Sequence, residues 1–208
     1  MTMIALMIGV VLGVVVALVR VTWDKNGSEM SGISRFFLSI ANAVCKVYLT
    51  VIRGTPVVVQ IMIIFFVIMA SSNNKLLAGV IAFGVNSGAY VAEIIRGGIM
   101  SIDRGQMEAG RSLGFGYVAT MRYIILPQAF KNVLPSLVNE FIVLLKDTSL
   151  ITVIGGKELL YAAQSIYGRT YEQMFPLLGV ACVYLLLVII FSWLVSILER
   201  RLRQSDRR

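Results

Sequence analysis

Residues 108–127 read EAGRSLGFGYVATMRYIILP, and they interrupt a chain that is otherwise 58% hydrophobic and 14% charged. The stretch opens on Glu108, carries Arg111 and Arg122, and closes on Pro127. Met107, Ala109 and Leu113, then Val118, Met121 and Ile125, keep a rough helical period on either side of Gly114-Phe115-Gly116. Glycines there supply positive φ and a sharp reversal. Pro127 predicts a boundary before the next helix. The spacing therefore predicts two short helices joined by a glycine turn, either an ordinary ordered loop or a protrusion that meets a partner.

Lipid is the main solvent of the surrounding chain. A soluble domain carries roughly 25% charged residues, well above this one, whose mean hydropathy is +0.83. The net charge of +8 sits between apolar blocks and forms no basic stripe with aromatics, so nucleic acid is excluded as a partner. The chain has no histidine, which removes His-ligated metal sites and the usual general base. No phosphate-binding GxxxxGK[ST] loop occurs, so ATP hydrolysis by this chain is not expected. Cys45 and Cys182 lie in apolar runs and are expected to be buried small hydrophobes, not a disulfide framework. Residues 1–19 lack a basic start and run straight into an apolar span, which predicts an anchor and not a cleavable leader.

The expected fold class is all-α, with about five membrane-spanning helices. A span needs about 20 apolar residues, and the blocks at 3–20, 55–71, 76–99, 130–149 and 174–198 qualify or approach that length. The fourth is broken by Glu140 and the second is short unless it extends back through Pro56. Three basic stretches decide the orientation: Arg20 to Arg53, Arg96 to Lys131, and Arg200 to Arg208. They hold five Lys or Arg each, whereas only Lys75, Lys146, Lys157 and Arg169 lie elsewhere. Five spans, with the N-terminus outside and the C-terminus inside, put all three stretches in the cytoplasm. Ile33–Ile52 has one apolar face at helical spacing; it predicts an interfacial helix before the second span, or a helix continuous with it.

The opening stretch also carries a resemblance. Glu108-Ala109-Gly110, three residues, Gly114, nine residues, then Ile124-x-Leu126-Pro127 resembles the EAA loop of the membrane subunits of bacterial ABC importers, a type I permease fold. Gly110 replaces the usual alanine, which weakens a helix by roughly 1 kcal/mol. The stretches at Arg53–Gln60, Asn86–Glu93, Asn139–Phe141 and Leu145–Leu150 are similar to the polar amino acid permeases of the histidine/glutamine/arginine type. The resemblance implies a single permease domain over 1–208, with residues 101–128 as the coupling loop that docks on an ATP-binding subunit. Glu108, Ala109, Gly110, Ser112, Leu113, Gly114, Leu126 and Pro127 would make that contact. It also implies the bacterial inner membrane as location and two copies of the ATPase, which would bind ATP and Mg while this chain holds no cofactor. A second permease subunit, identical or homologous, and an extracytoplasmic solute-binding protein complete the set. Family members begin further upstream, so the outer part of the first span is expected to be shortened.

Polar groups within spans are the candidate substrate contacts. Asn86 lies near mid-span, suited either to a helix–helix hydrogen bond or to the polar end of an amino acid. Glu140 and Asp147 suit a cationic group or a structural ion pair, and Gln60 is a further candidate of the same kind. Arg53 and Arg96 at span ends are expected to anchor lipid phosphate or neighbouring helices. A membrane scaffold that only holds a cytoplasmic partner is the alternative function, and a membrane enzyme finds no catalytic constellation.

Overall fold

The computed structural model describes residues 1–27 and 30–205. Arg207 and Arg208 of the basic C-terminus lie outside the described residues. The described residues form helices and no strand: α1 (Thr2–Asn26), α2 (Gly32–Gly54), α3 (Val57–Ile63), α4 (Lys75–Met100), α5 (Arg104–Ser112), α6 (Tyr117–Thr120), α7 (Leu126–Asp147), α8 (Leu159–Thr170) and α9 (Met174–Ser205). Wide π-type turns at Ile64–Ile68 and Met121–Ile125 extend α3 and α6, and a tight 3₁₀ segment at Thr148–Ile154 follows α7. The all-α architecture expected from the sequence is the one observed.

The centre is the pair α1 and α4. Ala5, Gly9, Gly13 and Ala17 recur every four residues along one stripe of α1, and the four-residue period keeps them on one face. A Cβ on Gly13 would lie 2.5 Å from Val91 Cγ1, and one on Gly84 would lie 2.9 Å from Ile8 Cγ2. Backbones this close are the membrane solution to helix association, where packing and not the hydrophobic effect supplies the attraction. Phe83, fully buried, fills the space left at the α4 N-terminal end, with Ile61, Leu144, Ile151 and Ile154 around it.

Four helices are long and apolar enough to cross a membrane: α1, α2, α4 and α9; Val57–Ile68 is a shorter apolar helix. α7 has 22 residues but carries Lys131, Glu140, Lys146 and Asp147. The short helix after Pro56 does not extend back through it. Thr55 and Pro56 are both extended, with ψ of 145° and 134°, because the proline ring excludes a helical residue before it. α2 and α3 nevertheless lie along successive stretches of α4, with Ile61 of α3 among Ala78, Ala82 and Phe83. Leu49 packs on Ala89 and Ala92, the Tyr48 hydroxyl donates to the Val85 carbonyl at 2.6 Å, and Asn42 accepts from Arg20 at 2.6 Å.

Two expectations change. Pro127 does not end a helix: α6, the wide turn and α7 form one helical run, with Leu126 at φ −61° and ψ −40°. The wide turn closes with Leu126 N–H bonded to the Met121 carbonyl, just ahead of a ring that a tight ladder would not accept. Cys182 is exposed on α9 and Cys45 only half-buried; both are free thiols.

Candidate functional site

α5, α6 and the wide turn after it fold as a braced hairpin of helices. Asp103 caps α5, accepting from Gly105 N–H at 2.6 Å, the usual role of an aspartate at a helix start. Gly114 has φ +85°, a left-handed value that glycine adopts without strain. Gly110 is buried, and a Cβ there would lie 2.6 Å from Thr120 Cγ2 and 3.1 Å from Ile124 Cδ1. The departure from alanine at this position therefore has a packing reason: α5 crosses α6 too closely for a methyl group.

One side of the hairpin is anchored. Met107, Met121 and Ile124 pack against a core of Val21 on α1, Ile99 on α4, Ala129 on α7 and Ile125 of the wide turn. The other side is open. Glu108, Ala109, Ser112, Gly114, Leu126 and Pro127 are exposed, and Leu113 and Val118 present 77% and 76% of their surface. Of the eight coupling candidates, only Gly110 is turned inward.

The second group of candidates meets midway along α4. Asn86 Nδ2 donates to Gln60 Oε1 at 3.1 Å. Gln60, buried, shares its two N–H groups among three acceptors, the Ile52 carbonyl at 2.8 Å, Thr55 Oγ1 at 2.8 Å and the Thr55 carbonyl at 3.1 Å. On the other side of α4, the fully buried Ser87 hydroxyl donates to Glu140 Oε1 at 2.8 Å. Asp147 is not part of this meeting point: seven residues beyond Glu140, it lies about 10 Å further along α7 at 1.5 Å per residue. It is half-buried, and its side chain makes no hydrogen bond or ion pair among the described residues. Ser87 was not singled out from the sequence, although a serine beside a mid-span asparagine is itself an uncommon polar pair.

The two arginines hold neighbouring helices. Arg96 makes a paired contact with Glu93, Nε to Oε1 at 3.3 Å and a second nitrogen to Oε2 at 3.1 Å, and reaches Asp24 on α1 at 3.4 Å. Arg53 lies 3.9 Å from the same Glu93 and over the Tyr90 ring. Of the two anchoring roles open to these residues, the structure shows the contact between helices.

Residues 9–204 match the family described as binding-protein-dependent transport system inner membrane component. The chain belongs to this family. Among relatives, it is 39% identical to a putative glutamine transport system permease protein of Rickettsia typhi over 204 residues, 97% of this chain and 87% of the relative. It is 37% identical to an arginine transport system permease protein of Bacillus subtilis, covering 96% of this chain and 86% of the relative. Among solved structures, an amino acid ABC transporter crystallised with histidines superposes with a TM-score of 0.84 at 42% identity, over 96% of this chain and 88% of that one. The MetNI methionine ABC transporter shares the fold, with a TM-score of 0.74 at 20% identity over 97% and 90% of the two chains. Membership makes the chain an inner-membrane transport component, and the expected type I importer fold is the one it has.

Proposed function

We propose that the chain forms, together with a second permease subunit, the membrane pathway of an ABC importer for polar amino acids, and that the α5–α6 hairpin couples it to a separate ATPase. ATP and Mg would bind that ATPase, and an extracytoplasmic binding protein would deliver the substrate. The observation that carries the proposal is the two-sided hairpin. Its inner side is fixed to α1, α4 and α7 by Val21, Ile99 and Ala129, while Leu113 and Val118 stand exposed on its outer side. A rigid protrusion transmits displacement, whereas a loose loop would absorb it.

The proposed topology has α1, the end of α2 with α3, α4, α7 and α9 crossing the membrane, N-terminus outside. Such a crossing tolerates the exposed, extended pair Thr55-Pro56 because Gln60 Nε2 donates to the Ile52 and Thr55 carbonyls beside the break. Single cysteines at Ser101 and Ser165, in a background lacking Cys45 and Cys182, test the orientation. An impermeant reagent applied outside should label Ser165→Cys and spare Ser101→Cys; the reverse pattern refutes it.

The substrate would pass Asn86, Glu140 and Asp147. An Asp147 carboxylate with no hydrogen bond or ion pair among the described residues suits an ammonium or guanidinium group that has given up its water. Asp147→Asn should weaken binding of a cationic amino acid by about 1–3 kcal/mol relative to a neutral one. Uptake into vesicles, normalised to assembled complex, tests this. An unchanged ratio of cationic to neutral uptake removes Asp147 from the site.

A further inference from the structure

Gln60 is the only pathway candidate whose hydrogen-bonding groups at both ends of the side chain are already engaged among the described residues, and the reason begins with a proline. In a continuous helix the Ile52 carbonyl would accept from the N–H of residue 56, but residue 56 is Pro and has none. The Gln60 amide takes that place, 2.8 Å from the Ile52 carbonyl. Its other two neighbours on that side are acceptors as well. One is the Thr55 carbonyl; the other is Thr55 Oγ1, whose own proton is given to the Val51 carbonyl at 2.8 Å. Three acceptors require the nitrogen end of Gln60 to face them, and this turns Oε1 toward α4. An oxygen accepts only from a donor, so Asn86 must present Nδ2 to it, as observed at 3.1 Å. The half-buried Asn86 then holds Oδ1 on the far side, where it accepts no hydrogen bond among the described residues.

We infer that Gln60 is a positioning residue that fixes the Asn86 amide with its oxygen toward the substrate, so that the pathway selects donor-rich side chains. The inference rests on the proposal that substrate passes Asn86. The break at Pro56 sets the direction of the relay. An unrestrained Asn86 would rotate its amide and offer an oxygen or an N–H as the ligand required. A guanidinium, which only donates, then loses its pre-set partner, whereas a carboxamide side chain gains whichever group it needs.

The test is equilibrium dialysis of arginine and of glutamine against the purified permease complex without its binding protein, so that only the membrane site discriminates. Gln60→Met removes both ends of the relay and should lower the arginine-to-glutamine affinity ratio about tenfold, the effect of one hydrogen bond to a charged group. Gln60→Glu keeps an acceptor for Asn86 and should retain the ratio even where its weakened hold on Ile52 reduces the yield of complex. Asn86→Ala should lower the ratio as Gln60→Met does. If Asn86→Ala lowers the ratio and Gln60→Met leaves it intact, the positioning role is refuted and the pathway reading stands. If Gln60→Glu loses the ratio as fully as Gln60→Met, Gln60 is only a cap on the helix break and the inference is again refuted. An unchanged ratio in Asn86→Ala overturns both readings.

Discussion

The Ser87 hydroxyl lies 2.8 Å from Glu140 Oε1, and this bond joins the middle of α4 to the middle of α7. Ser87 is fully buried, and the approach of Gly9 on α1, where a Cβ would lie 3.0 Å from Ser87 Oγ, leaves room for little else. Ser87→Ala should destabilise the protein by about 1.5–3 kcal/mol, the range for a hydrogen bond to a charged group. Glu140→Gln keeps an acceptor for the hydroxyl and should lose less. Thermal unfolding of the two variants in the same detergent checks the order; equal losses would mean that the bond itself contributes nothing.

The Gly110–Thr120 contact predicts a rescue. Gly110→Ala places a methyl group against the buried Thr120 Cγ2, and overpacking of this kind costs about 1–3 kcal/mol. The gain of up to roughly 1 kcal/mol in helix propensity offsets only part of it. Thr120→Ser removes the clashing methyl, so Gly110→Ala/Thr120→Ser should be more stable than the sum of the two single changes implies. A double-mutant cycle in thermal stability measures this coupling, and strict additivity would show that the two residues do not press on each other.

Glu93 is the shared acceptor of two arginines, so the ion-pair network should respond unequally to its members. Arg96 and Glu93 show side-chain exposures of 28% and 25%, and Arg53 shows 44%. Glu93→Ala leaves both arginines without their main partner and should cost about 1–3 kcal/mol, below the range for fully buried pairs because water screens part of the charge. Asp24→Asn removes only the 3.4 Å contact to Arg96 and should cost less than about 1 kcal/mol. Comparing the folded yield and melting temperature of the two variants checks the ranking; the reverse order would place the anchor at α1 instead.

The hairpin was legible in the sequence because its signals are local: an apolar period on each side of a glycine that needs φ +85°. The helical extent of its second arm was not. Pro127 reads as a stop, but a wide turn placed just before the ring lets the helix continue, and nothing in single-residue propensity announces such a turn. The packing of α1 on α4 was written as plainly as any motif, in Ala5, Gly9, Gly13 and Ala17 at intervals of four, yet hydropathy treats these positions as filler. Within the candidate site, residue types marked Asn86, Gln60 and Glu140 as unusual. Which of them touch one another depends on the break at Pro56 and on the alignment of α7 with α4, and neither is visible along the chain. That is why Ser87 went unread and why Asp147, similar in type to Glu140, lies apart from it.

Substitution of Gly114 probes the coupling role of residues 108–127 at its turn. A Cβ at Gly114 would meet no neighbouring atom within 4 Å, so Gly114→Glu does not disturb the core; it strains the turn, by roughly 1–3 kcal/mol at a positive φ, and sets a charge on the exposed face beside Leu113. The measurement is ATP hydrolysis by the partner ATPase in reconstituted complex, with and without substrate-loaded binding protein, at equal amounts of membrane-inserted permease. Gly114→Glu should insert normally and lose assembly or substrate-stimulated hydrolysis. Full stimulation in Gly114→Glu would contradict the coupling role.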